Sequence, residues 1–399
     1  MKMPRSALIH LTASEYGGVE THVYHLARVL RQAGVQVALT SQRRLAFNQA
    51  WADDLERSGV ELVAPPTPAS RMTGVAGLAI SRAWLRWQLR GRFFDMVIGQ
   101  GHGGAFAWMR RFLAPNGLFV WHEYWYGVPT HGDRYQEYRV PEPRRFPLRM
   151  RRMVGSLDVI LVGCERARRN LRLVQEVSVP VAVVPPLTHL DGVPPASDRC
   201  YDQHSPIKIL MAGRMGFGKG LGTLIRVWNA LDLGDAELHL YGPVESGFAR
   251  KAVSRLSGND RIVVHGPFVR RDLPRVLGEA DLGLMLSIEE GYGLVVWEYM
   301  ACGLPFVMTD CGAAEEFTAE NPDGLKVDVS EEGICRGLDE MVRRLRDNRL
   351  SRSRLQAFHR RCFSHEVASA QHVQAVIHPA EIWPELRPGR NLGQTGVTP

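Results

Sequence analysis

Clustered cysteine is missing from this sequence. Its six cysteines, at 164, 200, 302, 311, 335 and 362, form no Cys-x-x-Cys pair and no Cys/His group at zinc spacing. That argues against a structural zinc site and leaves them as reduced core or surface thiols. Long hydrophobic runs are missing too. No window approaches the roughly eighteen uninterrupted apolar residues that a membrane span needs. The opening "MKMPRSALIHLTAS" runs into Gly17-Gly18 without a small-residue cleavage site, so it reads as a buried strand rather than a signal peptide. A cytoplasmic protein is the expectation. No Asp-x-Asp pair stands at a strand end to demand a metal, and no internal repeat is strong enough to quote. The formal charge of +7 suits an anionic partner, but basic residues are spread over many helices and no base-reading motif appears, which argues against nucleic acid.

What is present is an alternation of short β-rich runs with helical stretches. "ALIHLT", "VQVALT", "VELVAP", "DMVIGQ", "LFVWHE", "DVILVG" and "VAVVPP" are strand-like in the first half; "IKILMAG", "ELHLYG", "RIVVHG", "DLGLMLS", "PFVMTD" and "GLKVDV" follow in the second. Such alternation predicts parallel sheets covered on both faces. At 399 residues and 45% apolar content, two domains are expected rather than one core. The fold class is α/β: two Rossmann-like, doubly wound domains facing across a cleft, with ligands at the carboxyl ends of strands. The first spans residues 1–187, a Pro-, Asp- and Ser-rich linker 188–205, and the second domain 206–364. A helix at 365–380 is expected to pack back on the first domain, and 381–399 reads as a loosely held tail.

Three constellations could carry chemistry. Gly213-Arg214-Met215-Gly216-Phe217-Gly218-Lys219-Gly220 lies between a strand and a helix. It nearly matches a nucleotide P-loop but ends in Gly220 where the magnesium-holding hydroxyl would stand. A flexible turn, the cations Arg214 and Lys219, and a helix N-terminus remain, and together they suit a phosphate. Solvated charges on a glycine-rich turn are the plainer alternative. Gly17-Gly18 forms a second strand-to-helix turn, where a ligand could approach the backbone. Third, Glu290 follows "DLGLMLS", and Glu298 sits eight residues on, inside the apolar run Leu294-Val295-Val296-Trp297-Glu298-Tyr299-Met300-Ala301. A carboxylate there needs solvent, a partner or a ligand. Gly291-Tyr292-Gly293 turns the chain between the two, so both could accept from polyol hydroxyls; capping by Glu290 and an internal salt bridge for Glu298 are the alternatives.

Arg214 with Lys219, then "EGYGLVVWEYMACGLPFVMTD", resembles the nucleotide-sugar site of the GT-B retaining glycosyltransferases of family four. "YGGVETHVYHLARVL", "DVILVGCERARRNL" and "CFSHEVASAQHVQAVI" are similar to other segments of that family, so the resemblance covers most of the chain. It implies a retaining, metal-independent transferase without a cofactor, using a nucleotide diphosphate-sugar, UDP- or GDP-linked. On that resemblance Arg214 and Lys219 would hold the diphosphate, Glu290 the sugar hydroxyls and Glu298 the ribose. Gly17 or Gly18 would lend backbone donors, and Gly291, Tyr292, Gly293 and Leu294 would shape the donor loop. The family's Gly-Gly-x-Pro-Glu is replaced by Cys311-Gly312-Ala313-Ala314-Glu315-Glu316, which loses the proline. A GT-B epimerase or sugar-phosphate synthase, and a non-catalytic glycan- or nucleotide-binding protein, share these features.

His122, closing "LFVW", resembles the histidine that faces the donor sugar and counts with Glu290, Arg214 and Lys219 among the expected catalytic residues. A structural histidine is its alternative. His102, Trp121, Tyr124 and Trp125 are candidates for an unidentified acceptor; core aromatics are the competing reading. "SRAWLRWQLRGRFF" sets Arg82, Arg86 and Arg90 along one helix face, with more charge from Arg144 to Arg152. That arrangement suits peripheral contact with an anionic membrane or an ordinary helix with a solvated basic face.

Overall fold

The structure, a computed structural model, describes residues 4–11, 18–41, 49–63, 74–100, 109–123, 156–174, 179–202, 204–244, 253 and 260–382. The chain divides into one unit of Met1–Thr188 with His365–Pro399 and a second of His189–Ser364. The predicted tail from 383 onward lies outside the described residues.

In the first unit the strands are β1 (Ser6–Leu11), β2 (Gln36–Ser41), β3 (Glu61–Val63), β4 (Met96–Gln100), β5 (Leu118–Glu123), β6 (Val159–Val162) and β7 (Val181–Val183). They form one sheet in the order β3-β2-β1-β4-β5-β6-β7, with every pairing parallel. Runs such as Val159–Val162 are apolar at successive positions because both faces of a parallel sheet are covered. Ala7, Ile9 and Leu11 of β1 pack with Val23, Leu26 and Leu30 of the helix Gly18–Gln32. Ala375, Val376 and Ile377 of the helix His365–Ile377 join the same core. At the start of β6, buried Arg110 and Asp158 form an ion pair at 2.9 Å, and Asp158 also accepts from the Phe119 amide at 2.8 Å. That network holds the β5–β6 register.

The second unit comprises β8 (Lys208–Ala212), β9 (Glu237–Tyr241), β10 (Ile262–Gly266), β11 (Leu282–Met285), β12 (Phe306–Thr309) and β13 (Gly324–Val327). The order is β10-β9-β8-β11-β12-β13, again parallel throughout. The chain winds outward from β8 on one side and from β11 on the other. The carboxyl ends of β8 and β11 therefore flank a topological switch point, where crossovers diverge and leave a crevice.

The segment expected as a linker packs on this second unit instead. Ala196 N donates to Gln356 at 3.0 Å, Ser353 N to Asp198 at 3.0 Å, and the Tyr201 hydroxyl to Asp281 at 2.7 Å. Asp281 also accepts from Lys208 N at 2.8 Å, the first residue of β8. The segment is thus tied by its backbone and side chains to the helices and strands beneath it.

Candidate active site

The loop after β8 and the loop after β11 are stitched together at the switch point. Gly220, which caps the helix Leu221–Ala230, has φ +77°. A Cβ at that position would stand 2.0 Å from the Leu286 carbonyl oxygen, so only glycine allows the approach. One residue pair further, Ile288 N donates to the Gly218 carbonyl at 2.9 Å. This contact brings Lys219 against Glu290, and the two form an ion pair through Glu290 Oε1. The Ser287 hydroxyl donates to that same oxygen at 2.9 Å. Arg214 lies exposed on the same loop as Lys219.

Gly293, with φ +102°, turns the chain into the helix Leu294–Ala301. Tyr292 is buried, stands edge-on to Phe317, and accepts through its carbonyl from Ala313 N at 2.8 Å. The loop that departs from the family pattern is thereby tied to the Glu290–Gly293 turn. Tyr299, on the same helix, closes the crevice from below: its hydroxyl donates to Leu284 O at 3.0 Å and accepts from Ala212 N at 3.3 Å, so one side chain joins β11 to the end of β8.

Glu298 is buried and has a partner. Arg270, from the 3-10 turn Arg270–Asp272 after β10, donates through Nη1 to Glu298 Oε1 at 2.6 Å. Burial pushes the Glu298 carboxyl above its ordinary range, and the neighbouring guanidinium pulls against that rise. The intrinsic answer to a carboxylate in an apolar run is therefore an ion pair within the unit. Arg270 and Ser287 were not singled out from the sequence; Ser287 stood beside Glu290 in a serine-glutamate run, whereas nothing local marked Arg270.

In the first unit Gly18 is the exposed first residue of its helix. Gly17, His102, Tyr124, Trp125 and the stretch Arg144 to Arg152 lie outside the described residues. Trp121 is wholly buried. Side chains alternate along a strand, so Trp121 takes the face of β5 opposite His122, and its burial is that of a core aromatic rather than an exposed acceptor platform. His122 is buried within a cluster of three histidines. His22 Nε2 lies 3.0 Å from His122 Nδ1, and ring nitrogens of His22, His122 and His372 all fall within 4.8 Å of one another. Burial lowers the pKa of His122, with His372 adding to the effect, and lowers His22 likewise. His372 is brought down to about 4, also by burial. His22 and His372 escaped the sequence reading, although each is a polar residue on an otherwise apolar helix stripe.

Two parallel doubly wound units, one carrying cations and carboxylates at its switch point, define the GT-B class of fold. The solved structure of HepE from Anabaena in complex with UDP and glucose matches with a TM-score of 0.67 at 15% identity, covering 93% of this chain and 99% of that one. Sucrose-phosphate synthase from Thermosynechococcus elongatus matches with a TM-score of 0.70 at 15% identity, covering 95% of this chain and 100% of that one. The chain belongs to the group 1 glycosyltransferases: the model for Glycosyltransferase Family 4 matches residues 16–191 and that for Glycosyl transferases group 1 residues 206–344. A curated relative, D-inositol 3-phosphate glycosyltransferase of Xylanimonas cellulosilytica, is 27% identical over 205 residues, 47% of this chain and 49% of that protein. The chain thus spans about half the length of this relative.

Proposed function

We propose that this chain is a retaining, metal-independent glycosyltransferase that moves a sugar from a nucleotide diphosphate-sugar to an acceptor hydroxyl. The observation that carries the reading is the Lys219–Glu290–Ser287 contact at the β8–β11 switch point. Lys219 and Arg214 supply the positive charge that a departing diphosphate needs, without reorganisation during the reaction. Drawing Lys219 toward phosphate frees Glu290 to accept from sugar hydroxyls, while Ser287 keeps the carboxylate aimed. At Glu298, Arg270 holds Oε1, and Oε2 accepts from ribose. The acceptor hydroxyl attacks on the face from which the diphosphate leaves, and a leaving phosphate oxygen takes its proton. HepE, whose fold this chain shares, was solved with UDP and glucose, which supports a uridine nucleotide as the first donor to try. Thermal-shift screening of UDP- and GDP-sugars tests the reading, because a bound donor stabilises by mass action. Any hit should then release nucleoside diphosphate when acceptor hydroxyls are supplied; no stabilisation by any nucleotide-sugar would overturn it.

The helix Gly74–Gln88 and its continuation favour an anionic membrane as a surface for the acceptor. Trp87 and Phe93 are 56% and 69% exposed, and the Arg90 guanidinium lies 5.6 Å from the Trp87 ring centroid, with Arg86 at 3.9 Å from Phe112. Aromatic rings with arginines suit a headgroup interface. No helix among the described residues is long and apolar enough to cross a membrane. Sedimentation with phosphatidylglycerol vesicles, lost in Trp87→Glu and absent with phosphatidylcholine, is the expected result.

A further inference from the structure

We infer that His22, fixed by the Leu187 amide, holds His122 in the tautomer that carries its proton on Nε2, making His122 a hydrogen-bond donor and not a base. The step from that tautomer to catalysis rests on the glycosyltransferase reading above; the tautomer itself does not.

Three hydrogen bonds around these rings have forced directions. Leu187 N lies 2.8 Å from His22 Nδ1. A backbone amide can only donate, so His22 Nδ1 must offer a lone pair. A neutral imidazole has one N–H, which therefore sits on His22 Nε2. That nitrogen is 3.0 Å from His122 Nδ1, which must accept. The proton of His122 is left on Nε2. His372 is fixed the opposite way: its Nδ1 is 2.8 Å from the Ala368 carbonyl oxygen, which can only accept. His372 thus carries its proton on Nδ1 and a lone pair on Nε2.

Three elements of the first unit build this arrangement. His22 comes from the helix Gly18–Gln32, Leu187 from the chain after β7, and His372 from the helix His365–Ile377. All three rings are buried and their pKa values lie below the ordinary 6.5, so each is neutral at physiological pH and the tautomers are the populated forms. His25 and His365, close to His22 and His372 respectively, lower those two rings further. A metal ion is the competing use of three clustered histidines. An ion on His22 Nε2 would move the ring proton to Nδ1, setting it against the Leu187 N–H at 2.8 Å. Two donors would then face each other, and the network disfavours that ligand set.

The consequence is a division of labour. An Nε2–H gives a hydrogen bond but takes up no proton, so proton removal from the acceptor falls to another group. His22 is then a positioning residue acting through His122.

The test uses the full chain with 15N-labelled histidine rings. Long-range 1H–15N correlation distinguishes the two tautomers, and assignment follows from single-histidine variants. Wild type should show His22 and His122 protonated at Nε2 and His372 at Nδ1. His22→Gln retains a side-chain N–H at the position of Nε2 and should keep the His122 tautomer with little loss of transfer. His22→Leu removes the donor; the Nδ1–H form of His122 should appear, and transfer should fall about ten- to a hundred-fold. A wild-type spectrum with His122 protonated at Nδ1 overturns the proposal without any variant. So does a folded His22→Leu chain whose His122 tautomer is unchanged. A wild-type chain inert toward every nucleotide-sugar would instead remove the functional reading, and the spectrum would still decide the tautomer.

Discussion

Replacing Arg270 by alanine isolates the energetics of Glu298, a carboxylate in an otherwise apolar helix. The Glu298 side chain is 11% exposed and Arg270 36%. Breaking a buried ion pair by deleting one partner costs about 3–5 kcal/mol, because the remaining charge keeps its desolvation penalty. Arg270 is partly in water and the pair is partly screened, so a smaller loss, about 2–3 kcal/mol, is expected. The sign with pH follows from the carboxyl. Its folded pKa is raised by burial, and losing the guanidinium raises it further. A raised carboxyl contributes stability that is present below the ordinary value and lost as pH rises through the folded pKa. The deficit of Arg270→Ala should therefore be full above the variant's raised folded pKa and shrink as pH falls through it toward the ordinary carboxylate range. Glu298→Gln in the same background should restore about 1–2 kcal/mol at neutral pH by removing the unpaired charge. Hydrogen exchange of the Leu294–Ala301 amides in the full chain is the assay, since two units need not unfold together. A loss below about 0.5 kcal/mol, or no recovery in the double variant, would show that Glu298 does not depend on Arg270.

Other expectations concern both units. His372 is lowered from 6.5 to about 4, so it contributes about 3 kcal/mol that is present above the ordinary value and lost as pH falls through that window; His372→Leu should make the urea midpoint of the first unit fall less steeply between those pH values, the remaining slope belonging to His22, His122 and His10. Asp158→Ala leaves Arg110, 1% exposed, without its carboxylate, and should cost about 3–5 kcal/mol in urea unfolding, most of it recovered by adding Arg110→Met. Gly220→Ala meets the Leu286 carbonyl at φ +77° and should cost at least about 2 kcal/mol, with sugar transfer falling further than stability explains because Lys219 leaves Glu290.

Much of the sheet architecture was legible. All thirteen strand-like runs are strands among the described residues, because parallel strands covered on both faces must be apolar at successive positions and are bounded by turn residues. The candidate site could be drawn together from the sequence where its members follow adjacent strands, as Glu290 and Lys219 do. Partners set by tertiary geometry could not be. Arg270 lies 28 residues from Glu298 and His22 lies 100 from His122, and no local period links them. The segment after Thr188 reads as a linker because proline, aspartate and serine mark irregular backbone whether or not it is packed; contacts such as Ala196 with Gln356, Asp198 with Ser353 and Tyr201 with Asp281 distinguish the two. Trp121 is different: the period of two along β5 separates it from His122, so that signal was available in the sequence.

Calorimetric titration of UDP and GDP into the full chain in excess EDTA tests most directly whether this chain's own cations hold the diphosphate. Wild type should bind at least one of them without metal. Lys219→Ala and Arg214→Ala should each weaken binding about ten- to a few-hundred-fold, through loss of charge-assisted hydrogen bonds of roughly 1.5–3 kcal/mol, while Arg214→Lys should rescue only part because an ammonium lacks the planar fork. Binding that requires added magnesium or manganese, or that is unchanged in both alanine variants, would contradict the account.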